Sequence, residues 1–293
     1  SAASDVYKRQ MYVKRPPYPA SKGTQQGVQR IHATATVYKV VKGYIELQKA
    51  STCTNVSDNN KLYSLAGAEF SIYDASGKFV QKLTTNEKGE TGRSGLLTAG
   101  TYTVKETKAP EGYYAADDFT VTVNAGQVTK KTVGDKPYDD PISMLVGKFD
   151  GEKTYNGAGN LPQGSATLAD AEFTVDYYDT FDYDNYDDLK KADIEPTRSW
   201  TFKTDEDGYA LLSTEDFVSG DALYYNDQNI ACVPRGTIVV RETKAPTGYL
   251  KSNAVSFQKI LEGSNPDSLL TYNTAEVPEQ VYRSDFELSL IHI

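Results

Sequence analysis

Each half of the 293-residue chain carries a lysine, then a glutamate, then a carboxyl or carboxamide residue, in the same order and on apolar strand faces. In the first half Lys49 continues the stripe of Ile45 and Leu47, Glu106 continues Tyr102 and Val104, and Asp135 shares a face with Val133. In the second half Lys148 follows Met144 and Val146, Glu242 follows Ile238 and Val240, and Asn273 shares a face with Thr271. Residues two apart on a strand point the same way, so both triads are expected to face inward. A charge aimed into a core is costly unless it is paired. Burial also lowers a lysine pKa and raises a glutamate pKa, which makes an amine a nucleophile and a carboxyl a proton donor. An ordinary buried Lys–Glu ion pair is the bland alternative for either site alone, and the recurrence of the order in both halves argues for something more.

The elements that must hold these residues are also duplicated. The eight-residue box Glu106 to Tyr113 reads Glu-Thr-Lys-Ala-Pro-Glu-Gly-Tyr, and Glu242 to Tyr249 matches it at seven positions. Upstream of each box lie an Ala-Glu-Phe segment, at Ala68–Phe70 and Ala171–Phe173, and a turn, Asn86–Gly89 or Asp205–Gly208. Such ordered self-similarity marks a repeated module. In the turns Gly89 and Gly208 supply a positive φ between alternating strands. The second module is longer, with the extra residues expected in surface loops at 176–198 and 217–234, both polar and poor in strand pattern.

Short strands with turn signals about every ten residues, rich in Thr, Val and Tyr, indicate an all-β protein of two tandem immunoglobulin-like β-sandwich domains. The first is expected over 43–138 and the second, with loop insertions, over 141–280; Lys136 to Pro141, with two prolines, forms a short boundary. Residues 11–42 fit neither repeat and read as the remnant of a preceding domain. Residues 1–10 and 288–293 resemble translated sequencing-adaptor read-through and are set aside, with 281–293 expected to form a non-native or disordered tail. Missing leader or anchor segments are therefore uninformative.

A net charge of -9 and a pI near 4.9 argue against nucleic acid as a partner, because phosphate binding needs clustered Lys and Arg. No run of about 18 apolar residues suggests a membrane span. The two cysteines, Cys53 and Cys232, fall in different repeats and are expected to stay unpaired thiols. Two histidines, His32 and His292, are too few and too isolated for a triad or a multi-histidine zinc site, and no cofactor or metal is implied. The acidic, Tyr-rich run Asp176 to Asp188 lacks a calcium-loop pattern and reads as a solvated loop. Leu161 to Ser165 superficially resembles a sorting signal, and Tyr18 to Lys22 a pilin lysine motif; both are read as chance.

With its twofold Glu-Thr-Lys-Ala-Pro-x-Gly-Tyr box, its Ala-Glu-Phe segments and its strand lysines, the chain over about 43–280 resembles the Cna B-type domains of Gram-positive pilins and adhesins, also called SpaA-like or prealbumin-like domains. The resemblance implies a spontaneous isopeptide bond between first and last strands in each domain. Carried over, the bonds join Lys49 to Asp135 with release of water, and Lys148 to Asn273 with release of ammonia, with Glu106 and Glu242 as proton shuttles. It implies a structural stalk segment of an extracellular, cell-wall-anchored adhesin or pilin, whose only chemistry is single-turnover self-cross-linking rather than enzymatic turnover. Its partners would be neighbouring domains of the same surface protein. The alternatives are a module whose Tyr-rich insertion binds a host protein or glycan, and accessory domains of a secreted enzyme.

Overall fold

The computed structural model describes residues 7–10, 34–37, 41–151, 162–261 and 271–283. Two short strands, β1 (Tyr7–Gln10) and β2 (Thr34–Val37), pair antiparallel. They fall in the segments that the sequence assigns to read-through and to a domain remnant.

The first sandwich is built from β3 (Lys42–Ser51), β4 (Glu69–Tyr73), β5 (Phe79–Thr84), β6 (Glu90–Arg93), β7 (Leu97–Thr98), β8 (Gly100–Lys108), β9 (Phe119–Val123) and β10 (Val128–Asp135). One sheet has the order β10-β3-β6, with β7 also on β3, and the other has the order β5-β4-β8-β9. Ile45, Leu47, Phe70, Ile72, Val104, Val121 and Val133 fill the space between them. The alternation read from the sequence is visible in β3, where buried and half-buried residues alternate along the strand. Its first strand β3 runs parallel to its last strand β10, with Lys49 opposite Val133 and Ser51 opposite Asp135. A long path through the rest of the module is needed to make that pairing parallel, and the module supplies it.

A two-residue strand, β11 (Asp139–Asp140), leads into the second sandwich. This contains β12 (Val146–Asp150), β13 (Glu172–Tyr178), β14 (Arg198–Lys203), β15 (Tyr209–Ala210), β16 (Phe217–Gly220), β17 (Tyr224–Tyr225), β18 (Ala231–Pro234), β19 (Gly236–Lys244), β20 (Tyr249–Leu250), β21 (Val255–Ile260) and β22 (Ala275–Val281). Its sheets have the orders β15-β12-β22-β20 and β16-β14-β13-β19-β21. Again the first and last strands, β12 and β22, pair in parallel, with Lys148 opposite Val277 and Asp150 opposite Glu279. Among the described residues the chain is thus all-β in two tandem sandwiches, apart from two short helices, α1 (Thr54–Ser57) and α2 (Tyr186–Lys191).

The inserted length of the second module is more ordered than its composition suggests. Strand β13 continues through Tyr178, and its Asp176 is buried because Ser199 Oγ donates to it at 2.6 Å and Arg241 pairs with it at 2.5 Å. A neutralised carboxylate is compatible with a strand interior, which composition alone does not reveal. Asn185 caps α2 by accepting from the Asp188 N–H at 2.9 Å. Tyr183 and Tyr186 pack with Tyr178, Leu189 and Val239 in a small core of their own rather than forming an open aromatic face. The stretch 217–234 forms β16, β17 and β18, the last paired with β11 across the boundary.

That boundary is an interlock. Cys53, Val56, Tyr63 and Tyr113 of the first module share one apolar cluster with Leu145, Phe173, Tyr177, Trp200, Tyr224 and Cys232 of the second. Tyr63 donates its hydroxyl to the Tyr138 carbonyl at 2.5 Å and accepts from the Arg235 N–H at 2.9 Å. Asn60 donates to the Tyr177 hydroxyl at 2.7 Å, and the Tyr225 N–H donates to Asn55 Oδ1 at 2.9 Å. Both thiols are free and buried in this shared cluster, where burial pushes their pKa up.

Candidate functional site

In the first sandwich the three residues singled out by pattern meet. Lys49 reaches down from β3, Glu106 from β8 in the facing sheet, and Asp135 from the end of β10. All three side chains are fully shielded from solvent. Lys49 Nζ lies 2.7 Å from Glu106 Oε2 and in closer contact with Asp135 Oδ1. The same Glu106 oxygen accepts from the Ala116 N–H at 2.7 Å, which fixes the carboxylate's orientation. Burial pushes the Asp135 carboxyl up to about 7 against the pull of Lys49, and the adjacent Glu106 adds to the rise.

The second sandwich repeats this geometry with one substitution. Lys148 on β12 lies 2.6 Å from Glu242 Oε1 on β19, and the Ser252 N–H donates to Glu242 Oε2, orienting that carboxylate as Ala116 orients Glu106. The second tight contact of Lys148 is made by Glu279 of β22, with all three side chains shielded from solvent. Asn273 is not there. It is exposed, ahead of β22, with its N–H donating to Gln258 Oε1 at 2.7 Å and its carbonyl accepting from Gln258 Nε2 at 2.7 Å. The expected pairing of Lys148 with Asn273 is therefore corrected. The sequence reading puts Thr271 and Asn273 on the last strand, but that strand begins at Ala275 and its inward face is Ala275, Val277 and Glu279. A signal for this exists in the sequence: Val277 and Glu279 alternate as Val133 and Asp135 do. Burial pushes the Glu279 carboxyl up to about 7.

The repeated motifs explain how each triad is held. Both Ala-Glu-Phe segments carry an irregularity in strand pairing at the Glu-Phe step, which sets Phe70 opposite Glu106 and Phe173 opposite Glu242. Those phenylalanines lie beneath the amines, with Lys49 Nζ 5.1 Å from the Phe70 ring centre and Lys148 Nζ 5.3 Å from that of Phe173. Within the boxes, Thr107 and Thr243 donate to the carbonyls of Glu69 and Glu172 at 3.2 and 3.1 Å, tying β8 to β4 and β19 to β13. The turn glycines Gly89 and Gly208 do more than reverse the chain. At φ of 77° and 84° their carbonyls accept the N–H of Lys49 at 2.7 Å and of Lys148 at 2.8 Å. A Cβ on Gly89 would lie 2.7 Å from the Lys49 carbonyl oxygen, and one on Gly208 would lie 2.5 Å from that of Lys148. Each glycine turn thus braces the strand that carries the buried lysine.

Among the described residues there is no group of three or more His, Cys, Asp and Glu able to hold a metal ion, and no helix long and apolar enough to cross a membrane. Tyr18 to Lys22 and Leu161 lie outside the described residues, whereas Pro162 to Ser165 lie in a turn-containing connection and not in a strand.

Comparison with known proteins bears on the fold. Residues 41–137 match the prealbumin-like fold domain family named SpaA. A stretch of 69 residues is 39% identical to the "Trypsin-resistant surface T6 protein" of Streptococcus pyogenes serotype M6, covering 23% of this chain and 13% of that relative's length. The Bacillus anthracis TIE protein superposes with a TM-score of 0.51 at 19% identity, covering 86% of this chain and 38% of the other. A C-terminal fragment of the pilus adhesin SpaC from Lactobacillus rhamnosus GG covers 82% of this chain and 98% of its own, at 17% identity and a TM-score of 0.41. Residues 41–137 thus match the SpaA family of prealbumin-like domains, and the second sandwich repeats the strand pairing and the buried lysine site of the first.

Proposed function

We propose that this chain is a load-bearing stalk segment of a cell-wall-associated Gram-positive adhesin or pilin, and that its first sandwich closes on itself through an amide bond formed once between Lys49 and Asp135. The observation that carries this reading is the contact of Lys49 Nζ with Asp135 Oδ1 in a fully shielded site, bridging the first and last strands of the sandwich. The fold holds the two groups together, so a condensation that is negligible between solutes in water becomes intramolecular. Neutral Lys49 attacks Asp135 Cγ, Glu106 carries the amine's proton to the departing hydroxyl, and water leaves. A carboxyl pushed up to about 7 is substantially protonated at neutral pH, which suits it to lose hydroxide as water.

The mechanical consequence follows from strand direction. In a parallel pair, tension applied at the start of β3 and beyond the end of β10 shears the ladder. A Lys49–Asp135 bond sends that tension along β3, across the bond and out of the domain, leaving residues 50–134 unloaded. Closing a loop of this size also stabilises by roughly 4 to 5 kcal/mol, by analogy with a disulfide. The trypsin resistance in the name of the streptococcal relative fits such a domain. The test is limited trypsin digestion of the chain beside its Glu106→Gln variant. The wild-type first sandwich is expected to survive while the variant's is cleaved several-fold faster; equal cleavage of two folded proteins counts against the proposal.

A further inference from the structure

The second buried lysine has a partner that differs in kind from the first. We infer that Lys148 forms an amide with the side chain of Glu279, giving a γ-glutamyl-lysine cross-link between β12 and β22. This rests on the self-cross-linking proposed for the first sandwich and extends it to an acid one methylene longer. Three observations carry it. Glu279 holds the ladder position of Asp135: each lies two residues beyond the residue facing the lysine, in a parallel pair of first and last strands. Its carboxylate makes the tight contact with Lys148 Nζ inside a site with no solvent exposure. Its remaining oxygen, Oε2, accepts no hydrogen bond among the described residues, so no competing donor fixes the carboxyl as a settled ion pair.

The remaining parts of the reaction are in place. Glu242, oriented by the Ser252 N–H, lies 2.6 Å from the amine that also contacts Glu279. The Lys148 lone pair attacks Glu279 Cδ, the C–N bond forms, and the C–O bond to the acid hydroxyl breaks. One proton of the attacking amine passes through Glu242 to that hydroxyl, which leaves as water, and the balance needs no oxidant or external reactant. Phe173 beneath the amine and the absence of solvent keep water from competing.

The test is peptide mapping by tandem mass spectrometry of the full chain, together with a Glu279→Gln variant. The expected wild-type result is a branched peptide joining Lys148 to Glu279, lighter by one water than its two parts. In Glu279→Gln, nearly isosteric with the native residue, the same branch is expected to form with loss of ammonia instead, which ties the leaving group to position 279. A branch at Asn273, or linear peptides carrying Lys148 and Glu279 at full mass, overturns the inference. Finding the Lys49–Asp135 branch while Lys148 is linear sinks this inference alone; finding neither branch sinks the first-sandwich proposal as well.

Discussion

At the scale of single residues, a lysine buried between two carboxyl groups is an expensive arrangement that becomes useful only if a proton is missing. Replacing one partner of a buried ion pair costs about 3 to 5 kcal/mol because the other charge is stranded. Covalent closure removes the problem, since an amide carries no charge. Glu106→Gln keeps the shape of the site but cannot shuttle a proton, so intact-mass measurement is expected to show the first-sandwich water retained and the second-sandwich loss unchanged. In that unbonded chain Asp135 remains a buried acid. With the Glu106 charge gone, burial still holds its folded pKa above the ordinary 3.8, so the folded state keeps a proton that the unfolded state releases as the pH rises past that value. The stabilising contribution is therefore complete below about pH 4 and is lost as the pH rises through the raised folded pKa. Denaturation midpoints of the unbonded variant are expected to fall across that window; a midpoint that rises from about pH 4 to 7 contradicts the burial argument.

At the scale of elements, the duplicated motifs are the mounts of the two buried lysine sites. The glycine turns show this best, because Gly89 and Gly208 are set both by a left-handed backbone and by the approach of the lysine carbonyl. Gly208→Ala is expected to cost about 2 kcal/mol or more and to slow closure of the second site, whereas Gly77→Ala, at an open turn with a similar φ, strains only its own backbone. Equal losses of thermal stability at the two positions would contradict a bracing role. The same elements show what is legible in the sequence. Lys49, Glu106 and Glu242 sit on strands of nine or ten residues, and their inward direction, like that of Lys148 on the five-residue β12, can be read from the period of two in the sequence. The last strand of the second sandwich is harder to place. Its approach through 262–270 has no strand pattern, and Asn273 offers a carboxamide just before the strand begins at Ala275, while Val277 and Glu279 carry the true alternation. The burial of Asp176 and of the insertion's tyrosines is hidden for a related reason: it depends on Arg241 and Val239, far away in sequence.

At the scale of the whole chain, the two sandwiches are joined through a shared apolar cluster rather than a bare linker. Tyr63 is central there, donating to Tyr138 and accepting from Arg235. Tyr63→Phe leaves the buried Arg235 N–H without that acceptor, at a cost of about 1 to 3 kcal/mol. Calorimetry is expected to resolve separate unfolding of the two sandwiches in the variant where the native chain unfolds with more overlap; identical profiles would show that the junction does not couple them. For the proposed stalk, such coupling would complement the proposed cross-links, which would divert tension past residues 50–134 and, through Glu279, past residues 149–278. The account stands most directly on the intact mass of the purified chain under denaturing conditions. Two closed sites predict a mass lower than the sequence mass by two waters. A mass equal to that of the sequence would contradict the account, and a loss of one water and one ammonia would return the second bond to an amide donor and remove Glu279 from it.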